Sequence, residues 1–284
     1  MYNGVIQTFR NDEFNLQYII EGKGKPALVV GSALYYQRTY SQNLRNHLKL
    51  VFADHRGFAP NNLVKDKTKF ELELLVEDIE SLRKKLDLGK LILMGHSGHG
   101  YMALEYAKKY PENVSHLVLT CFAPSHSSEN HAESDKHFDL TAAQERKTAL
   151  AKGMSQLGDA ISKDPSKAFI TFCLLTGAKS WYDYDFDASE LWADVEVNMT
   201  MFDYVWGEIF RDIDITKGLE KMDVPVFLGL GRYDYLVPPA HTWDGIKEKF
   251  KNLTYHIFEK SSHAVHFEEP ELFDKVLIEW LKTN

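Results

Sequence analysis

The sequence predicts an α/β protein: a mostly parallel, doubly wound sheet that opens with an antiparallel hairpin and carries an inserted helical cap. Three observations predict it. Short apolar runs of strand length alternate with helix-length segments, the pattern of strand–helix–strand units that build a parallel sheet. Two β-rich runs, residues 4–9 and 14–20, flank the turn signal Asn11-Asp12 and read as a hairpin. From about Pro124 to Ile215 the alternation stops, and the chain becomes helix-like, strand-poor and rich in aromatics and acids. The expected organisation is a core domain over 1–123 and 216–284, with the cap over 124–215.

In chain order, residues 21–26 read as a loop and Ala27–Val30 as a buried strand ending at Gly31-Ser32-Ala33. Residues 48–53 form the next strand, closing on Asp54-His55-Arg56-Gly57, whose acid and arginine read as structural. Thr68-Lys69-Phe70-Glu71 has the form of a capping box, and the helix after it sets Leu72, Leu75, Val76, Ile79, Leu82 and Leu86 on one face. Residues 116–121 make another strand before the cap. Beyond the cap, a strand at 224–230, a helix near 239–250, a strand at 253–258 and a last helix from 268 to 282 complete the sheet domain.

The chain has 284 residues, 44% of them hydrophobic and 26% charged, ordinary values for a soluble globular protein with a sizeable core. A net charge of -8 argues against a nucleic-acid binder, which needs a basic footprint. Cys121 and Cys173 lie far apart in apolar surroundings, so both read as reduced core thiols. The N-terminal stretch has no basic region followed by an apolar run, and no apolar run reaches the length of a membrane span. A cytoplasmic location follows as the expectation, with no membrane or nucleic-acid partner and a monomer or homodimer as the assembly.

Residues Leu91 to Gly100 carry the chemistry. An apolar run passes through Gly95 into His96-Ser97-Gly98, then into the helix-forming run 101–110, stopped by Pro111. That order of strand, sharp turn and helix holds a serine at its apex, with the amide of Gly98 at a helix N-terminus, placed to hydrogen-bond an oxyanion. On this stretch the chain resembles the α/β-hydrolase superfamily, and the resemblance extends over nearly its whole length. The family elbow often has glycine two residues after the nucleophile; this chain has His99 there and Gly100 next.

The resemblance implies a nucleophile–acid–base order along the chain. Asp234 stands in the loop after an apolar strand, between Gly231 and Pro238, where the family places its acid. Two histidines, His263 and His266, follow the last strand. The family pattern sets the base at a fixed offset before a Glu-x-Pro, here Glu268-Glu269-Pro270, so the resemblance implies His263 as the base and leaves His266 as a surface or packing residue. The second oxyanion donor comes in many members from a His-Gly-x loop; here the loop reads Gly31-Ser32-Ala33, which makes Ala33 the expected donor and Ser32 the second choice. His96 is expected to pack. His126, His131 and His137 are too irregularly spaced for one helical face and read as solvated; no metal and no cofactor is expected.

Residues 210–225, running on to Asp234, look most like proline iminopeptidase-type hydrolases, which hold a free amine with cap acids. Glu208 is then a candidate amine anchor. Ser32, Trp181, Trp206 and Tyr235 complete the expected substrate contacts. Two features depart from that pattern: residues 31–35 lack a Gly-Gly-Pro-Gly-like loop, and Tyr235 follows the acid where some peptidases carry glutamate. The expected function is a serine hydrolase of a small ester or amide, acting on a small molecule or short peptide through an acyl-enzyme. The alternatives are a proline iminopeptidase-type aminopeptidase, a C–C bond hydrolase, and a non-enzymatic binding or signalling protein on the same fold. Epoxide hydrolase and dehalogenase chemistry needs a carboxylate nucleophile where Ser97 stands.

Overall fold

The computed structural model describes residues 4–284, so the first three residues of the expected core domain lie outside it. Its strands are β1 (Gln7–Asn11), β2 (Phe14–Gly22), β3 (Lys25–Gly31), β4 (Leu48–Asp54), β5 (Leu91–His96), β6 (Val114–Thr120), β7 (Val226–Gly231) and β8 (Leu253–Phe258). They form one sheet in the order β1-β2-β4-β3-β5-β6-β7-β8. β1 and β2 pair antiparallel as the expected hairpin, with Asn11 opposite Phe14 and Asp12 in the left-handed region at φ 55°. β2 also runs antiparallel to β4, and every later pairing is parallel. All six residues of β5 are buried, as a strand covered by helices on both faces must be.

Around the sheet lie α1 (Ala33–Thr39), α2 (Leu72–Lys85) and α3 (His99–Lys109). On α2 the predicted stripe of Leu75, Val76, Ile79 and Leu82 is buried, while Arg56 grips the buried Asp78 with two bonds of 2.6 and 2.9 Å. The capping box does not form. Asp66 accepts the Thr68 amide instead, opening a 3-10 turn over Lys67–Phe70, and the Glu71 carboxylate goes to the Tyr204 hydroxyl. The expected helix near 239–250 is two short 3-10 turns, Ala240–Trp243 and Lys247–Lys249.

Between β6 and β7 the described residues contain helices and no strand: α4 (Ser128–Thr141), α5 (Gln144–Lys163), α6 (Ala168–Leu175), α7 (Gly177–Ser180) and α8 (Met199–Tyr204), the last continuing into a π-helical turn at Val205–Ile209. The chain ends in α9 (Val265–Glu268) and α10 (Pro270–Thr283), which divide the expected last helix at Glu269. None of the helices is long and apolar enough to cross a membrane, among the described residues.

Arg146 of α5 holds the helical segment together. It is buried, and it donates to the carbonyls of Ala178, Trp181 and Tyr182 at 2.6–2.7 Å. An apolar residue there leaves three carbonyls without a donor. Arg146→Leu is therefore expected to lower stability by about 2–4 kcal/mol and to open residues 177–182 to protease. Urea denaturation with limited proteolysis reads both, and an unchanged midpoint with an unchanged cleavage pattern would reject this role.

Candidate active site

The sheet order reverses between β3 and β5, and the crevice beyond their carboxyl ends is where such sheets bind ligands. β5 delivers Ser97 there. The serine is held at φ 54°, a left-handed conformation unusual for a residue with a side chain, and its amide donates to Thr120 O at 2.9 Å. The close helix packing expected two residues after the serine falls one residue later. A Cβ at Gly100 would lie 2.4 Å from the Phe122 ring, so Gly100 supplies the approach and His99 is free to carry a side chain.

The loops after β7 and β8 bring Asp234 and His263 to the serine. His263 Nε2 lies 2.9 Å from Ser97 Oγ, and His263 Nδ1 lies 2.7 Å from Asp234 Oδ2. The other carboxylate oxygen, Oδ1, accepts the amides of Leu236 and Val237 at 3.0 and 3.2 Å, which orients Asp234. An ionised Asp234 accepts from Nδ1–H and leaves Nε2 to take the serine proton. The Glu-Glu-Pro offset has a structural basis. Glu268 Oε2 accepts the amides of Ser262 and Ala264, on either side of His263, at 2.8 and 3.1 Å. Burial raises the Glu268 pKa.

The oxyanion loop differs from the expectation. The Ala33 N–H donates to Asp54 Oδ1 at 2.7 Å, and Ala33 is completely buried, so its donor is committed elsewhere. Burial pushes Asp54 up to about 8, against the two backbone amides of Ala33 and Gln17 that favour its charge. Ser32, the second choice, lines the cavity above Ser97 together with Gly98. Neither the Ser32 nor the Gly98 N–H is spent in a hydrogen bond among the described residues. The Trp206 ring covers Gly98 closely, since a Cβ there would sit 2.5–2.7 Å from its indole.

Ser97 opens into a cavity of about 1180 Å³. Of the expected contacts, Ser32, Trp181 and Trp206 line it, and the other two do not. Glu208 is exposed, with its carboxylate on Lys67 Nζ at 2.5 Å. Tyr235 is buried in a separate small cluster with Phe138 and Ala142, while the next two residues, Leu236 and Val237, line the cavity. His126 is not solvated as expected: it lines the cavity, bonds His131 at 3.0 Å, and is pushed down to about 4 by desolvation. Cys121 and Cys173 are unpaired. One trio among the described residues has metal-ligand spacing, His96, Cys121 and His263. Its ring nitrogens are already engaged with Tyr36, the His263 carbonyl, Asp234 and Ser97.

The fold agrees with that of known proteins. A family model described as alpha/beta hydrolase fold matches residues 24–270. The AB hydrolase superfamily protein YclE of Bacillus subtilis is 41% identical over 95% of this chain and 96% of its own. A proline iminopeptidase of Clostridium botulinum is 28% identical over 74% of this chain and 72% of its own. The crystal structure of a proline iminopeptidase from Mycobacterium smegmatis superposes with a TM-score of 0.76 at 16% identity, covering 98% of both chains. The chain belongs to the α/β-hydrolase family, and it is a hydrolase.

Sequence reading missed two cavity residues that matter below: Tyr36 of α1, and His99. The helix α1 has only seven residues, too few for a periodic signal. His99 was visible as a departure from the family pattern, but nothing along the chain named its partners.

Proposed function

We propose that this protein is a serine hydrolase that cleaves an ester carrying a bulky apolar group, through an acyl-enzyme formed on Ser97. The observation that carries the reading is the bonded row Ser97–His263–Asp234, with spacings of 2.9 and 2.7 Å, opening into a cavity walled mainly by apolar side chains. His263 takes the serine proton and later gives it to the leaving group, while Asp234 holds its tautomer. Gly98 and Ser32 supply the amides for the oxyanion. Residues 124–215 act as the cap over a core of 1–123 and 216–284, and two unpaired thiols accord with a cytoplasmic location.

The side of the cavity lined by α5 and α6 is apolar, and there Met154 and Phe172 are also 50% and 39% exposed. A wall of that kind suits a chain or ring of hydrocarbon. The proline iminopeptidase relatives favour a second reading, an aminopeptidase that holds a substrate ammonium. That reading needs a carboxylate available in the cavity. Glu208 is spent on Lys67 and the cavity-lining Asp135 on Lys179, while the other two carboxylates that line the cavity, Asp139 and Asp203, are exposed to solvent.

Two substrate comparisons test the choice. Lengthening a p-nitrophenyl ester from acetate to octanoate is expected to raise kcat/KM by about 10–100-fold. A free-amine aminoacyl anilide is expected to gain no more than roughly threefold over its N-acetylated twin, where an ammonium site would give 10–1000-fold. A strong free-amine preference would move the protein to the aminopeptidases.

A further inference from the structure

Behind the serine, three buried histidines and a buried tyrosine form a continuous row of hydrogen bonds. His55 Nε2 lies 3.1 Å from His99 Nε2, and His99 Nδ1 lies 2.8 Å from Tyr36 Oη. The same hydroxyl lies 3.0 Å from His96 Nδ1, and His96 Nε2 meets the backbone carbonyl of His263 at 2.5 Å. All four side chains are at least 92% buried.

The direction of every bond in this row is determined. The Gly57 amide donates to His55 Nδ1 at 3.0 Å, so that nitrogen carries no proton. Desolvation holds His55 and His96 neutral and pushes His99 down to about 3, while burial keeps the Tyr36 phenol protonated. A neutral His55 must then carry its proton on Nε2 and donate to His99. His99 accepts on Nε2 and donates from Nδ1 to Tyr36. Having accepted there, Tyr36 donates its single proton to His96 Nδ1. His96 is left with its proton on Nε2, which it donates to the His263 carbonyl. Each group uses one donor and one acceptor, and the row ends on the peptide of the residue that faces Ser97. The amide side of that residue is held as well, by Ser180 O at 3.0 Å.

We propose that Tyr36 and His99 are positioning residues for the catalytic base: the one-way row from the Gly57 amide to the His263 carbonyl fixes the backbone of His263, and so the approach of its Nε2 to Ser97 Oγ. The proposal rests on the reading of Ser97 and His263 as nucleophile and base. The row explains why a histidine occupies position 99. Removing its proton donors frees the His263 carbonyl to shift, and the productive approach is lost part of the time, whereas the rest of the cavity wall stays in place.

The test is a double-mutant cycle on the full-length protein, read by kcat and KM on a p-nitrophenyl ester. Tyr36→Phe keeps the ring but deletes the hydroxyl shared by both histidines. It is expected to lower kcat by roughly 10–100-fold, with KM within about twofold. His99→Leu cuts the same row one step earlier, so the double variant is expected to be no slower than Tyr36→Phe alone, where independent packing defects would multiply. His99→Gln, whose amide can accept from His55 and donate to Tyr36, is expected to keep kcat within about threefold of wild type. Thermal midpoints of all four variants separate positioning from loss of fold. A kcat for Tyr36→Phe within twofold of wild type, multiplicative effects in the double variant, or a His99→Gln enzyme as slow as His99→Leu would each overturn the proposal. An active Ser97→Ala enzyme would instead remove the triad itself, and the proposal with it; an intact Tyr36→Phe beside an inactive Ser97→Ala rejects the row alone.

Discussion

Replacing Ser97 with alanine is expected to lower kcat by about 10⁴-fold or more, close to 5.4 kcal/mol of transition-state stabilisation. The Ser97 hydroxyl is the group that His263 Nε2 faces at 2.9 Å, so deleting it removes both the attacking atom and the proton that the base accepts. What remains is the residual rate from binding and the oxyanion amides. The backbone gives no reason for collapse, because alanine meets the same φ of 54° that serine already bears. A fluorophosphonate reagent should label the wild type at Ser97 and leave the variant untouched. Full turnover in Ser97→Ala would end the reading of this chain as a serine hydrolase.

The second large effect separates two histidines three residues apart. His263→Ala is expected to be nearly inactive, losing about 10⁴-fold or more, and Asp234→Asn to lose roughly 10³–10⁴-fold while folding normally. The asparagine keeps the shape but presents a donor to Nδ1, which turns the ring to the wrong tautomer. His266→Ala has a different signature. Its ring is completely buried, stacked on Tyr40 at 4.4 Å, with Nε2 3.2 Å from Thr39 Oγ1. Truncation leaves a cavity that costs about 2–4 kcal/mol of stability, with kcat within roughly threefold of wild type. Steady-state kinetics beside urea melts distinguish the three variants, and an inactive, fully stable His266→Ala would invert the assignment.

The elbow and the two loops facing it were legible because their signals are local. An apolar strand, a small residue, a serine and a helix start lie within ten positions, and His263 keeps a fixed distance from Pro270 along the chain. What was illegible depended on partners distant in sequence. Ala33 looked like an oxyanion donor until Asp54, 21 residues on, was seen to take its N–H. Glu208 looked available until Lys67, 141 residues away, was found on its carboxylate. The stretch 239–250 was expected as one helix, yet it forms two 3-10 turns with Gly245, a poor helix former, between them. At residues 68–71, Asp66 competed for the Thr68 amide and won, a contest between two local caps that the capping-box pattern does not weigh.

The fastening of α7 to the triad loops limits how this protein can be taken apart and rebuilt. Lys179 O accepts the amide of Tyr235, next to the acid, at 3.1 Å, and Ser180 O accepts the amide of His263 itself. The hydroxyl of Ser262 also reaches Lys179 O, at 3.3 Å. The helical segment between β6 and β7 thus holds the loops that carry Asp234 and His263 as well as lining the cavity. It cannot be exchanged between relatives as a cassette chosen for its pocket alone. A chimera that imports another insertion must also import two backbone carbonyls at these places, or it will acquire a new pocket above a misaligned machine.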